Sequence, residues 1–383
     1  MQFPLSSFKN PTEIIYGFEA AGQLRPILDR QGFKRILVIT DPGIVAAGLL
    51  RDVERQLEGL VYAVYAEVEP NPSVVTCERA LAALQEVKAE VLVAIGGGSA
   101  IDVAKAVGLL AVNGGSIVDY EGIDTFAQPI LPLIAIPTTA GTASEVTIFT
   151  VITDVDRQYK LTVGGYKLAP RWALVDPLMT VSMPKQITAS TGLDALVHAI
   201  ESYTSKMAYP LSKALAREAI RLISGHLRQA VYSGDQLAAR DKMLMGSLLA
   251  GLAFSNTRLG VCHAMSHPVS AMFGVPHGVA NSILIPHVME YNALAVPELF
   301  ADIAEDMGEN TAGLTLMEKA GKAVEAVRKL SRDIGIPARF SDFQLDRGRI
   351  RDMARDAMKS GNIPINPRKV SQDDLILLYE QAL

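Results

Sequence analysis

Four of the six histidines, His263, His267, His277 and His287, fall within 25 residues, and a fifth, His198, stands four residues after Asp194. That spacing puts Asp194 and His198 on one helix face, while the flanking Leu193, Ala195, Leu196, Val197, Ala199 and Ile200 are apolar almost all round. A carboxylate buried beside an imidazole is costly unless a cation or hydrogen bonds satisfy it. His263 and His267 are again four apart, and His277 sits in a Pro276-His277-Gly278 turn. Two helices can thus converge these groups on one point. Three imidazoles and one carboxylate leave a coordination position open and suit Zn²⁺ or Fe²⁺. Either His267 or His277 then has a second role, and Pro268, which can kink the helix, leaves open which of them ligates. His226 and His287 read as structural or surface residues.

A second kind of chemistry is written in glycines. Val91 to Ala106 reads VLVAIGGGSAIDVAKA: a buried strand, three glycines, a serine, then a helix with Asp102 in its first turn. Glycines let the backbone approach a ligand, and a helix N-terminus offers free N–H groups and a positive dipole end to a pyrophosphate. The pattern is neither GxGxxG nor a P-loop. A second strand end, Ile136-Pro137-Thr138-Thr139-Ala140-Gly141-Thr142, supplies three hydroxyls at the carboxyl side of the same kind of sheet, where ligands of open α/β sheets bind. Asp41 closes the first strand; a carboxylate there accepts both ribose hydroxyls of an adenosine and repels a 2′-phosphate, which favours NAD over NADP. The alternative for Asp41 is a helix or turn cap.

The elements that must hold these groups divide in two. Apolar runs such as Ile36–Ile39, Val91–Ile95 and Leu131–Ile136, bounded by Gly, Pro or Asp, are what a parallel sheet covered on both faces requires. After Ser182-Met183-Pro184 the pattern turns helical with almost no strand-like runs. This predicts an α/β domain over 1–184 with a Rossmann-like parallel sheet, followed by an all-α domain over 185–383. Ala238 to Phe254 is apolar on nearly every face and belongs inside the helical domain.

With 383 residues, 20% of them charged, and a net charge of −5, nothing favours nucleic acid as a partner. Leu131 to Ile152 carries only Glu145 as a charge, yet its polar, turn-like middle reads as strand and loop, not as a membrane span. Two cysteines are too few for a disulfide scaffold, and the N-terminus lacks the pattern of a signal peptide; the expected setting is the cytoplasm.

In this order, GGGSAIDVAKA, PTTAGTASEVT, STGLDALVHAIESY, GVCHAMSHPVSAMFGVPHGVANSILIPHVMEYN and INPRKVSQDDLILLYEQAL resemble the iron-containing (group III) alcohol dehydrogenases of the glycerol dehydrogenase and dehydroquinate synthase-like superfamily. The resemblance implies a dinucleotide domain, a helical metal domain and an active site in the cleft between them. It implies Asp194, His198, His263 and His277 as ligands of Fe²⁺, with Zn²⁺ as the other option, and His267 near substrate and nicotinamide as the proton relay. It further implies that NAD(H) is held by Asp41, Asn71, Gly97, Gly98, Ser99, Thr138, Thr139, Thr142, Val151 and Lys160. The reaction implied is hydride transfer between nicotinamide C4 and a metal-bound small primary alcohol, diol or aldehyde.

Phe149, Val151, Phe254 and Cys262 are the expected pocket wall, and the absence of arginine from the ligand-bearing stretches argues against carboxylate or phosphate substrates. The two phenylalanines favour unsubstituted chains over polyols. Competing readings are a dehydroquinate synthase-like lyase, which would need a Lys and Arg cluster, a metal-dependent hydrolase, and a metal-stabilised binding protein. Family members are expected as homodimers or rings of dimers, with the segment Phe3 to Tyr16 adding a strand to a partner's sheet.

Overall fold

Nine strands form where β-branched and apolar runs are broken by turn residues: β1 (Glu13–Tyr16), β2 (Arg35–Ile39), β3 (Val61–Tyr65), β4 (Val91–Gly96), β5 (Gly122–Ile123), β6 (Leu133–Pro137), β7 (Phe149–Asp154), β8 (Tyr159–Gly164) and β9 (Trp172–Val175). The computed structural model describes residues 5–383, the side chain of Asp342 excepted. Six strands pair in the order β1-β9-β6-β4-β2-β3, all parallel. Side chains alternate across a sheet, so Leu37, Ile39, Leu92, Ala94 and Leu133 enter one core while Ile36, Val38, Val91, Val93 and Ile134 enter another. The helices of this unit are α1 (Leu24–Gln31), α2 (Pro42–Ala46), α3 (Leu50–Gln56), α4 (Val74–Val87) and α5 (Gly98–Asn113). A smaller sheet, β5-β8-β7, contains the antiparallel hairpin of β7 and β8.

A buried charge cluster ties α5 to the chain after β6. Lys105 is fully buried, and its ammonium donates to Ser144 Oγ (2.9 Å), Thr147 Oγ1 (3.0 Å) and the Phe149 carbonyl (2.7 Å). Asp102 accepts from Ser144 Oγ (2.5 Å) and from Val151 N–H (2.9 Å). Burial lowers the Lys105 ammonium to about 8 against the pull of Asp102 and Glu145. Glu145, with its Oε1 lacking a hydrogen-bond partner, is pushed up to about 7 by burial, opposed by its own backbone N–H and Lys105.

Folding therefore takes up a proton at Glu145 between its ordinary value of 4.5 and about 7, and the stability it contributes is lost as pH rises through that window. The unfolding free energy of the native chain relative to Glu145→Gln should decline from pH 4.5 to 7 in denaturant titrations; a difference that is flat or rises would contradict a protonated Glu145.

The second unit is helical: α6 (Lys185–Thr204), α7 (Pro210–Tyr232), α8 (Leu237–Thr257), α9 (Val261–Phe273), α10 (His277–Ala293), α11 (Pro297–Asp306), α12 (Leu316–Asp333), α13 (Ile350–Ala357) and α14 (Gln372–Ala382). Helix α8 is buried on most of its faces, and Arg240, also buried, is satisfied by the Gly234 carbonyl (2.8 Å) and Thr188 Oγ1 (3.0 Å).

The two compact units are Asn10–Met183 and Pro184–Leu383, the latter joined by the stretch through Lys9. That stretch was expected in the α/β part; it groups with the helices because Lys9 and Asn256 exchange hydrogen bonds, Lys9 N–H to Asn256 Oδ1 (2.9 Å) and Asn256 Nδ2 to the Lys9 carbonyl (3.2 Å). The expected donation of Phe3 to Tyr16 to a partner's sheet also changes: Glu13–Tyr16 pairs with β9 of its own chain, and Phe3 and Pro4 lie outside the described residues. Among the described residues, no helix is long and apolar enough to cross a membrane.

Candidate functional site

In the α/β unit, β4 ends at Gly96, whose φ of 154° suits glycine, and Gly97 caps α5. A Cβ on Gly98 would lie 2.7 Å from Thr142 Oγ1, and one on Gly97 would lie 3.2 Å from Thr139 Oγ1. The glycines thus let the threonine loop close onto the N-terminus of α5, as well as leaving its amides open. Ser99 lies in that first turn. Thr138 is anchored by its N–H to the Gly96 carbonyl (3.0 Å), while its buried hydroxyl has no hydrogen-bond partner. An orphaned hydroxyl and a 16-residue helix opening on glycines fit a bound dinucleotide.

Asp41 stands at the carboxyl end of β2 and caps α2, accepting from Ile44 N–H at 3.0 Å. Burial pushes its carboxyl up, against bonds from the Ile44 and Gly43 amides. Both weighed roles for Asp41 are therefore compatible, since a cap engages one oxygen. Asn71, held at φ 56°, accepts from Lys160 Nζ at 2.7 Å through Oδ1, and Thr153 Oγ1 donates to its carbonyl at 3.2 Å. These bonds draw Asn71 and Lys160 together from 89 positions apart. Val151 and Phe149 lie on β7, partly exposed, with the Phe149 ring packed over Gly164, where a Cβ would fall 2.7 Å from Phe149 Cδ1.

In the helical unit, α6 carries Asp194 and His198, both buried, so they are not a surface pair. Helix α10 begins at His277, and Gly278 admits α6 closely: a Cβ there would lie 2.6 Å from the Ser190 carbonyl. Donor atoms of Asp194, His263 and His277 lie within 4.8 Å of one another. His198 adjoins them, its Nε2 4.0 Å from Asp194 Oδ2 and its ring stacked on His263 at 4.6 Å. The His267 ring is 5.4 Å from that of His277, in a helix that contains Pro268. Phe254 is buried and stacks on His198 at 4.6 Å. Cys262 was expected in a pocket wall; it is fully buried, its thiol directed to the Asn281 carbonyl at 3.4 Å, and so presents no exposed surface.

Two groups escaped the sequence reading. Asn281 Nδ2 donates to Asp194 Oδ1 (2.7 Å), His263 Nε2 (3.0 Å) and His277 Nε2 (3.1 Å), standing where the lone pairs of these ligands converge. Glu201 contacts His263 through its second carboxylate oxygen. The only signal for either was helical spacing, Glu201 seven after Asp194 and Asn281 four after His277. Nitrogen and oxygen donors converging in a buried site, with an amide proton donor at their focus, fit a divalent ion such as Fe²⁺ or Zn²⁺.

Comparison with known proteins agrees. The model of iron-containing alcohol dehydrogenases matches residues 11–177, and that of the C-terminal part of the Fe-containing alcohol dehydrogenase family matches 188–383. The chain is 40% identical over 389 residues to the 1,3-propanediol dehydrogenase of Klebsiella pneumoniae, covering 100% of both chains. It is 36% identical over 381 residues to the NAD-dependent methanol dehydrogenase of Bacillus methanolicus, covering 99% of this chain and 100% of that relative. The crystal structure of a 1,3-propanediol oxidoreductase superposes with a TM-score of 0.96 at 40% identity, covering 99% of this chain and 100% of the other. The chain belongs to the iron-containing alcohol dehydrogenase family and is an oxidoreductase that interconverts alcohols and aldehydes.

Proposed function

We propose that the chain is an NAD(H)-linked, iron-dependent dehydrogenase and reductase of small neutral primary alcohols, diols and aldehydes. The observation that carries this is the buried convergence of Asp194, His263 and His277 on Asn281 Nδ2, with His198 stacked beside them. Those four ligands would hold the ion, which when bound acts as a Lewis acid toward a substrate oxygen while the nicotinamide exchanges hydride with the substrate carbon.

The chain's own residues do the rest. The amides at Gly97, Gly98 and Ser99 bind pyrophosphate at the positive end of α5, and the hydroxyls of Thr138, Thr139 and Thr142 line the facing loop. Asp41 accepts the ribose hydroxyls and repels a 2′-phosphate. Asn71 and Lys160, already hydrogen-bonded, orient the cofactor together. His267 is the catalytic residue that takes and returns the alcohol proton at a ring nitrogen, through a ribose hydroxyl or water. Phe254, against His198, keeps water from the metal ligands, and with Phe149 and Val151 it favours unsubstituted short chains. Both thiols are free and buried, which suits a reducing cytoplasm, and β1 offers the sheet edge of a homodimer.

Protein stripped of metal and reconstituted anaerobically with Fe²⁺ or Zn²⁺ should reduce butyraldehyde with NADH and prefer NADH over NADPH. Asp41→Ser, which keeps a capping oxygen, should raise the NADPH to NADH ratio of kcat/KM by about tenfold or more. If no metal restores turnover of any short aldehyde while NADH binds, the small-aldehyde assignment is lost.

A further inference from the structure

Helix α9 carries His263 in its first turn yet begins without a side-chain cap of its own, because its N-cap is Gly260. Its first amides are taken up from elsewhere. Val61 of the sheet plays no part in this; the partners are Asn366 and Glu201, with Val261 N–H donating to Asn366 Oδ1 (3.3 Å) and Cys262 N–H to Glu201 Oε1 (2.7 Å). Gly260 makes room for them: a Cβ there would lie 2.8 Å from Glu201 Oε1 and 3.1 Å from Asn366 Oδ1. Glu201 is one of the most thoroughly enclosed carboxylates of the helical unit, 4% exposed, and a negative charge is favoured at that helix end.

The other oxygen of the same carboxylate, Oε2, lies 2.5 Å from His263 Nδ1. That contact requires the proton on Nδ1, leaving Nε2 with its lone pair. The opposite side of the ring reports the same state independently: Asn281 Nδ2, oriented by donating to the Asp194 carboxylate at 2.7 Å, points a proton at His263 Nε2 from 3.0 Å. Glu201 therefore couples two jobs. It sets the start of α9, which fixes where the His263 backbone lies, and it sets the ring's tautomer and plane.

We propose that Glu201 is a positioning residue for the metal centre, holding His263 Nε2 ready to ligate. The proposal rests on the reading of Asp194, His198, His263 and His277 as the ligand set. A carboxylate behind a ligating imidazole orients the ring and raises its basicity, and loss of such a partner costs about 10- to 100-fold in metal affinity.

The test is metal binding alone. Zn²⁺ and Co²⁺ dissociation constants are measured by competition with a chelator for the wild-type chain, Glu201→Gln and His263→Ala, alongside the melting temperature of each metal-free protein and its NADH affinity. A glutamine has one acceptor oxygen and cannot serve both His263 and Cys262. Expected for Glu201→Gln is a dissociation constant raised about 10- to 100-fold, a changed visible spectrum with Co²⁺, and unaltered NADH binding. If Glu201→Gln binds metal within twofold of wild type and only its metal-free melting temperature falls, Glu201 is a helix cap and nothing more, and the proposal is overturned. If wild type binds no more metal than His263→Ala, the metal-centre reading itself fails and takes the proposal with it. Should Glu201→Gln not fold, ¹⁵N resonances of His263 in the metal-free wild type decide: the Nδ1–H tautomer is expected, and Nε2–H overturns the proposal.

Discussion

Substituting His263 with alanine is expected to abolish iron retention and turnover together, lowering kcat/KM by about 10³-fold or more, since a Lewis acid supplies several kcal/mol of transition-state stabilisation. His263 is 2% exposed and engaged on both ring nitrogens, by Glu201 and Asn281. Its loss removes one donor and leaves the Glu201 carboxylate buried without its imidazole partner, so neighbouring ligands lose their alignment as well. The dinucleotide side provides the control. The single tryptophan, Trp172, lies in β9 of the α/β unit, buried, its indole N–H donating to Glu13 at 3.0 Å. Energy transfer from Trp172 to NADH should survive in His263→Ala. Stoichiometric iron and more than a tenth of wild-type turnover in this variant would refute the assignment of His263.

Lys105→Met should be the most damaging substitution in the α/β unit. Breaking a buried charge cluster by removing one partner costs about 3–5 kcal/mol, because the opposite charges stay behind. Here the lysine gathers Ser144, Thr147 and the Phe149 carbonyl, and Asp102 and Glu145 would remain enclosed. Because Trp172 is the only tryptophan, denaturant titrations followed by its fluorescence report this unit by itself. Adding Glu145→Gln to Lys105→Met should recover part of the loss, since residues in one network are coupled. A Lys105→Met midpoint equal to wild type would mean that the cluster contributes no net stability.

What the sequence discloses here follows the range of the interactions. The strands of the parallel sheet announce themselves through continuous apolar runs, and Asp194 and His198 through their spacing and apolar flanks. The two-residue β5 and the four-residue β1 have too little pattern of their own and exist through pairing with β8 and β9. Lys105, in a DVAKAV stretch, resembles any helix-surface lysine; only the fold of the chain from Ser144 to Phe149 over α5 encloses it. Glu145 stood out as the lone charge in its stretch, but its meaning depends on a lysine 40 residues earlier. Glu201 and Asn281 reach their partners across 62 and 87 residues, so residue type and local period say nothing of their roles.

The stretch through Lys9 has a consequence for the order of events during synthesis. Lys9 meets Asn256, 247 residues later, and the Tyr209 hydroxyl donates to the Ser7 carbonyl at 3.2 Å. At about 5–20 residues per second, roughly 12 to 50 seconds separate the emergence of Lys9 from that of its partner. Asn10–Met183 is complete well before then and can fold while the front of the chain still waits. The first contacts in the sequence are thus among the last to be made, and a chain halted after Met183 would hold a finished sheet with no partner yet for its leading residues.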